Sequence, residues 1–145
     1  MTQEEKKLLL KDLCTRLPYV IVHTWYNKPL DIKCTGIDLY TNTVNLDIPD
    51  DDNAKVYIDN CKPYLRPMSS MTEEERDELE RICSLYACDN DCNEEYGIVI
   101  LSDHNIYSEN PFEALDWLNK KGFDYRGLIP MGLALEAPED MYKSK

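Results

Sequence analysis

The residues of this chain best suited to chemistry are cysteines and one histidine between residues 83 and 104. Cys83, Cys88, Cys92 and His104 make up a Cys3His set, and thiolates and imidazoles are ligands that zinc prefers. The set lacks the Cys-x2-Cys knuckle of structural zinc sites, because three residues separate Cys88 from Cys92. These four residues are therefore a candidate zinc site, while the overall prediction is a protein without a metal or cofactor.

The same stretch allows three other interpretations. A disulfide between Cys88 and Cys92 is one of them. The loop also carries four carboxylates, at Asp89, Asp91, Glu94 and Glu95. They resemble a calcium loop but lack its glycine and its terminal glutamate. A cysteine nucleophile activated by His104, itself next to Asp103, would make a small enzyme, but no motif supports it. The scattered glycines form no phosphate-binding loop, so we expect no catalytic residues.

The charge of the chain is strongly acidic and unevenly distributed. Its 145 residues carry 28 Asp and Glu against 16 Lys and Arg, a formal net charge of −12 at pH 7. Residues 68–145 hold eighteen of the acidic and seven of the basic residues. Because phosphate binding needs a basic face, we expect neither direct nucleic-acid binding nor attachment to an anionic membrane surface. No apolar run suits a membrane span and no signal peptide is recognisable, which predicts a cytoplasmic protein.

The first half of the sequence predicts a helix followed by short strands. Thr2 and Glu5 have capping-box spacing, and Pro18 ends the helix because proline pushes its predecessor out of helical geometry. The expected buried stripe of this helix is Leu9, Leu10, Leu13, Cys14 and Leu17. Alternating β-branched and aromatic residues predict four strands, the second bent at Gly36, closed by a proline-bounded turn over residues 61–67. This pattern favours a small SH3-like antiparallel barrel over an open sheet covered by the helix.

The second half predicts an acidic helical subdomain with one extra short strand. Thr72 and Glu75 repeat the capping-box spacing. The apolar stripe of that helix is Leu79, Ile82, Cys83 and Tyr86. Residues 96–101 form the strand, and a further helix begins after Asn110 and ends at Gly122.

The predicted fold is therefore α+β. Residues 1–67 form the N-terminal helix and the small β-barrel, and residues 68–145 form the acidic helical subdomain packed on it as one compact unit.

Two surfaces are candidates for binding a partner. Aromatic side chains near strand ends often anchor contacts, which points to Trp25, Tyr26 and Tyr40. We expect Tyr26 to be exposed, whereas Trp25 and Tyr40 could instead fill the barrel. The second surface is the start of the acidic helix, with carboxylates at Glu73, Glu74 and Asp77.

Several stretches of the chain are similar to one group of proteins. They are Leu8–Cys14, Arg16–Tyr19, Lys62–Glu75, Asp116–Asn119, Phe123–Ile129, Gly132–Pro138 and Met141–Tyr142. In these stretches the chain resembles small uncharacterised proteins of gut-bacterial (Bacteroides-type) phages and mobile elements. The resemblance implies an accessory or phage protein in the cytoplasm of a bacterial host cell. It implies no activity, cofactor or catalytic residue.

The function predicted from the sequence is non-enzymatic binding of another protein by a phage or mobile-element accessory protein. Three alternatives stay open. The chain could be an acidic inhibitor or nucleic-acid mimic directed at a host nucleic-acid enzyme, a small Cys/His enzyme, or a zinc-stabilised structural module. The sequence names neither the partner nor the oligomeric state.

Overall fold

The computed structural model describes residues 1–83, 98–101, 104–107 and 111–142, and these form an α+β fold. The helices are α1 (Gln3–Arg16), α2 (Glu73–Cys83) and α3 (Pro111–Lys121). The strands are β1 (Ile21–Trp25), β2 (Pro29–Asp38), β3 (Thr43–Leu46), β4 (Lys55–Tyr57), β5 (Cys61–Leu65), β6 (Ile98–Leu101), β7 (His104–Tyr107) and β8 (Leu135–Glu136). Single turns of 3-10 helix occupy Ile58–Asn60 and Met68–Ser70.

Six of the strands form one mixed sheet in the order β4-β3-β2-β1-β5-β8. Neighbouring strands are antiparallel except β5 and β8, which run parallel. The sheet is not closed, so the predicted SH3-like barrel is not confirmed. The predicted bend is present, since the pairing of β2 with β3 shifts register between Cys34 and Gly36.

The closing turn predicted over residues 61–67 is wrong over most of its length. Cys61–Leu65 is strand β5, which pairs with β1 in the middle of the sheet. Its side chains alternate, with Cys61, Pro63 and Leu65 buried and Lys62 exposed. The two prolines concealed this alternation, because proline is depleted in strands and suggests a turn.

The second half contributes more strands than the one predicted. β6 confirms the strand expected near residues 96–101, but it pairs with β7 in a separate two-stranded sheet. The partner strand β7, which no sequence pattern predicted, begins at His104. The tail adds β8, whose Leu135 pairs with Tyr64 of β5. A two-residue strand has too little alternation to be recognised from sequence.

Helix α1 begins as predicted but buries a partly different face. The Thr2–Glu5 capping box is present, and the helix ends at Arg16 before the extended Leu17. Leu9, Leu10 and Leu13 are buried as expected. Cys14, however, is exposed, and Asp12 and Arg16 are fully buried instead.

A buried ion cluster explains the change of face. Arg16 Nε donates to one carboxylate oxygen of Asp12 at 2.7 Å, and Arg126 Nε donates to the other at 3.1 Å. The Arg16 guanidinium also lies 4.9 Å from the centre of the Tyr125 ring. A buried charge is tolerated only when it is paired in this way, so residues distant in sequence decide which polar groups of α1 enter the core.

The buried apolar residues form two clusters among the described parts of the chain. The larger one joins α1 to the sheet and includes Leu128, Leu133 and Ala134 from the tail. The smaller one lies between α2 and α3 and contains Leu79, Ala114, Trp117, Leu118 and Phe123. The tail of the second half thus shares the core of the first half. The division near residue 68 stays a prediction.

Arg66 connects the sheet to the start of α2 and to the residues just after α3. Its guanidinium donates two hydrogen bonds of 2.7 Å to the Glu75 carboxylate at the start of α2 and lies 4.2 Å from the centre of the Phe123 ring. Glu75 also completes the predicted capping box with Thr72. The Arg66 hydrogen bonds are the main reason that the pKa of Glu75 is held at about 2, below its ordinary value of 4.5.

Tyr142 attaches the end of the described chain to the sheet. Its hydroxyl donates to the backbone oxygen of Tyr64 at 2.7 Å and accepts from the backbone N–H of Ile21 at 3.0 Å, bridging β5 and β1. Burial raises the pKa of this hydroxyl to about 12. Its ring covers Gly122, where an added Cβ would collide with the aromatic carbons.

We expect Gly122→Ala to lower the free energy of unfolding by about 3 kcal/mol or more, since the residue has φ +79° and no room for a Cβ. Gly132→Ala is the matched control. Gly132 has φ +75° and open space, so only backbone strain of about 1 kcal/mol should result. Urea unfolding followed by circular dichroism measures both. Equal losses would show that Tyr142 does not press on Gly122.

Replacing Glu75 by Gln keeps the capping hydrogen bond but removes the charge facing Arg66. We expect a loss of about 2 kcal/mol at neutral pH. Because the pKa of Glu75 is lowered in the folded protein, its contribution is complete above pH 4.5 and disappears as the pH falls towards 2. The stability difference between the two proteins should therefore shrink over that range. Glu74→Gln, an exposed neighbour, should change stability by less than about 0.5 kcal/mol. A difference that does not vary with pH would contradict this assignment.

Candidate functional site

The central strands present one polar face to solvent. Val22 and Thr24 of β1 are buried, so the alternate residues of β1 and the residues paired with them face outward. We call this the outer face: Ile21, His23 and Trp25 of β1, Asp31 and Lys33 of β2, and Lys62 and Tyr64 of β5. It extends about 13 Å along β1, from Ile21 to Trp25.

A hydrogen-bonded cluster lies in the middle of the outer face. His23 Nδ1 lies 2.7 Å from Asp31 Oδ1, and the Tyr64 hydroxyl donates to the same oxygen at 2.9 Å. The rings of His23 and Tyr64 meet edge to face, with centroids 6.1 Å apart. The hydrogen bond from His23 is the largest cause that lowers the pKa of Asp31, while partial burial and then Asp31 raise the pKa of Tyr64. The cluster therefore holds an oriented imidazole beside an ionised carboxylate.

A lysine-lined cavity of about 400 Å³ adjoins this cluster. We call it the lysine cleft. Its cationic side chains are Lys33 of β2 and Lys120 and Lys121 at the end of α3, and Asp31 is the carboxylate in its lining. Its remaining lining residues are Tyr19, Ile21, Ile32, Met141 and Tyr142. The cleft thus combines apolar lining residues with three lysines, a local charge opposite to that of the whole chain.

A second cavity, of about 580 Å³, has the opposite character. Its lining includes Arg66 and Lys121 and four carboxylates, at Glu74, Glu75, Glu136 and Glu139. Glu75 and Arg66 neutralise each other. Lys121 and Tyr142 line both cavities, so a basic and an acidic cavity meet at Tyr142.

The three aromatic residues predicted as contacts do not form one groove. Trp25 is 65% exposed at one end of the outer face, and Tyr40 is 97% exposed beyond the opposite end of β2. The expected exposure of Tyr26 is wrong, because its side chain is half-buried against the core and its hydroxyl donates to Asp51 at 2.8 Å. The acidic trio Glu73, Glu74 and Asp77 is exposed on α2, as the sequence suggests.

The candidate zinc set cannot be assembled from the described residues. Cys88 and Cys92 lie outside them, Cys83 ends α2, and His104 begins β7. Within the described ranges no group of three or more His, Cys, Asp or Glu is placed to hold a metal ion. Burial raises the pKa of Cys34 to about 11 and that of Cys61 to about 12, which keeps these two thiols protonated at neutral pH.

The sequence did not predict the residues that form the His23–Asp31 pair and the lysine cleft. The His23–Asp31 pair had a usable signal: a short turn after Trp25 aligns β1 with β2, and alternation then puts the two residues on one face. The lysine cleft had no such signal, because Lys33 and Lys120 are 87 positions apart in the sequence.

Comparisons with protein-family models, with curated proteins and with solved structures found no match to this chain. No helix among the described residues combines the length and the apolar character needed to cross a bilayer. The candidate site therefore rests on its own geometry.

The hydrogen bonds to Asp31 predict how its pKa responds when His23 or Tyr64 is replaced. Replacing His23 by Ala should raise the pKa of Asp31 towards its ordinary value of 3.8, and Tyr64→Phe should raise it less, because His23 contributes the largest stabilisation of the carboxylate. Carboxyl carbon shifts in NMR spectra recorded across pH measure both. A larger effect of Tyr64→Phe would contradict the assigned order.

Proposed function

We propose that the protein is a non-enzymatic binding protein whose lysine cleft takes an acidic segment of another protein. The observation that carries this proposal is the charge of the cleft. In a chain of net charge −12, Lys33, Lys120 and Lys121 from two distant elements converge on one cavity. Cations collected by the fold against such a background select an anionic ligand.

The apolar lining residues of the cleft favour a peptide over a small inorganic anion as the ligand. Tyr19, Ile21 and Met141 offer apolar surface on which a side chain can be buried, while the lysines meet carboxylates on either side of it. The cavity of about 400 Å³ has room for one large side chain and its neighbours. The ligand class is thus a short segment with an aromatic or aliphatic anchor flanked by Asp or Glu.

The outer face extends this site in one direction. An extended segment leaving the cleft along β1 would pass the His23–Asp31 cluster and Lys62 before it reached Trp25, about 13 Å away. Trp25, 65% exposed, can supply a second anchor. This assigns Trp25 the contact role expected from the sequence and places Tyr40 in a different surface.

Helix α2 gives less support to the alternative function, in which the protein mimics a nucleic acid. Glu73, Glu74 and Asp77 are exposed, but so are Arg76 and Arg81 on the same helix. A mimic needs an extended anionic surface, and Arg76 and Arg81 add exposed positive charge to this helix. The cellular setting, a bacterial cytoplasm and a phage or mobile element, is proposed on the resemblance alone.

A displayed library of random peptides, selected on the purified protein, tests the cleft directly. We expect enrichment of segments with an apolar residue between acidic residues. Lys33→Glu and Lys120→Glu should each weaken a selected peptide about tenfold, an effect that added salt should reduce. Lys55→Glu, an exposed lysine on β4 outside the cleft, is the matched control and should leave affinity unchanged. Failure to select acidic peptides, or equal effects of all three variants, would overturn the proposal.

A further inference from the structure

Helix α3 has an exposed stripe whose two ends differ in chemistry. Its inner face, with Ala114, Trp117 and Leu118, is buried against α2. Outward, Phe112 is 86% exposed and is followed by the exposed carboxylates Glu113 and Asp116. The exposed Lys120 ends the stripe at the lysine cleft. The helix therefore presents an apolar, acidic end and a basic end.

The first end of this stripe has the composition that the cleft at the other end would bind. Phe112 is an aromatic anchor beside acidic residues, as required of the segment in the proposed function. It lies about 12 Å from Lys120 along the same helix, so one copy cannot fold its own Phe112 into its own cleft. A second copy can supply it.

We propose that two copies of the chain pair through antiparallel α3 helices. Reversing one helix brings Phe112 and Glu113 of the second copy beside Lys120, at the mouth of the cleft. The inference rests on the proposed function, because it takes the cleft as a site for acidic segments and names a second copy as one occupant. Charge complementarity between the two ends of α3 selects this occupant.

A twofold axis makes the arrangement closed and doubles each contact. Each contact away from the axis is repeated across it, so a weak pair counts twice, while the two Asp116 carboxylates, midway along the stripe, lie nearest the axis. Antiparallel helices also place the positive end of each helix dipole near the negative end of the other. The dimer and the acidic partner then compete for the same clefts.

Sedimentation velocity over a concentration series is the test of dimerisation. We expect a monomer–dimer equilibrium in which Phe112→Ser, Glu113→Lys and Lys120→Glu each weaken the dimer about tenfold or more. The double variant carrying Glu113→Lys and Lys120→Glu should recover the affinity, since each new lysine meets a new glutamate across the axis. Tyr40→Ser and Glu73→Lys, exposed residues of matched type outside α3, should leave the dimer unchanged.

Three results would overturn the inference. The first is a protein that stays monomeric up to several hundred micromolar. The second is a double variant whose dimer affinity is as low as that of the two single variants. At protein concentrations below the dimer dissociation constant, a loss of unfolding free energy in Phe112→Ser well beyond that in Tyr40→Ser would place Phe112 inside the fold. Selection of acidic peptides by a strictly monomeric protein would reject the dimer and keep the proposed function. Failure of both experiments would reject the cleft itself.

Discussion

The geometry of the whole site depends on one hydroxyl group, that of Tyr142. Where β1 and β5 stop pairing directly, this hydroxyl satisfies the backbone N–H of Ile21 and the backbone oxygen of Tyr64, two groups that would otherwise lack a partner in the gap. The tyrosine ring can reach that gap only because Gly122 leaves room beneath it. Tyr142 also lines both the lysine cleft and the acidic cavity. A single residue thus joins the sheet, the end of α3 and the two cavities.

The local charge of a site in this protein depends on where the fold places its charged side chains, more than on the net charge of the chain. The net charge is −12, yet the least exposed ion pairs among the described residues join carboxylates to arginines: Asp12 binds Arg16 and Arg126, and Glu75 binds Arg66. Buried Asp124 instead accepts hydrogen bonds from two backbone N–H groups. Most excess carboxylates stay on the surface, where water solvates them at little cost. The lysines of α3 lie at its C-terminal end, which the helix dipole favours, and the fold brings Lys33 to the same place. A cationic cleft can therefore exist in an acidic chain.

Local signals in the sequence predicted local structure well. Both capping boxes are present at Thr2 and Thr72, α1 ends before Pro18, and Gly122 has the positive φ of a helix C-cap. These features depend on residues within a few positions of one another, so no distant contact can alter them. The prediction failed where the partner is remote. Cys14 was expected to be buried and Asp12 to be exposed. The structure has the opposite arrangement, because Asp12 pairs with Arg126, 114 positions away in the sequence. Cys61–Leu65 was expected as a turn, but pairing with β1 makes it a strand.

Short-range patterns were enough to predict the helices, most strands of the first half and the glycine bend, and the concentration of acidic charge after residue 68 is read directly from the sequence. Each of these follows from side-chain size, backbone preference or residue type over a short window. The packing of distant elements, in contrast, leaves the sheet open and adds β8 from the tail to its edge. It alone gathered Lys33, Lys120 and Tyr142 around one cavity. The physical reason is that cavities and ion clusters form between elements, and the packing of those elements depends on the shape of the whole core.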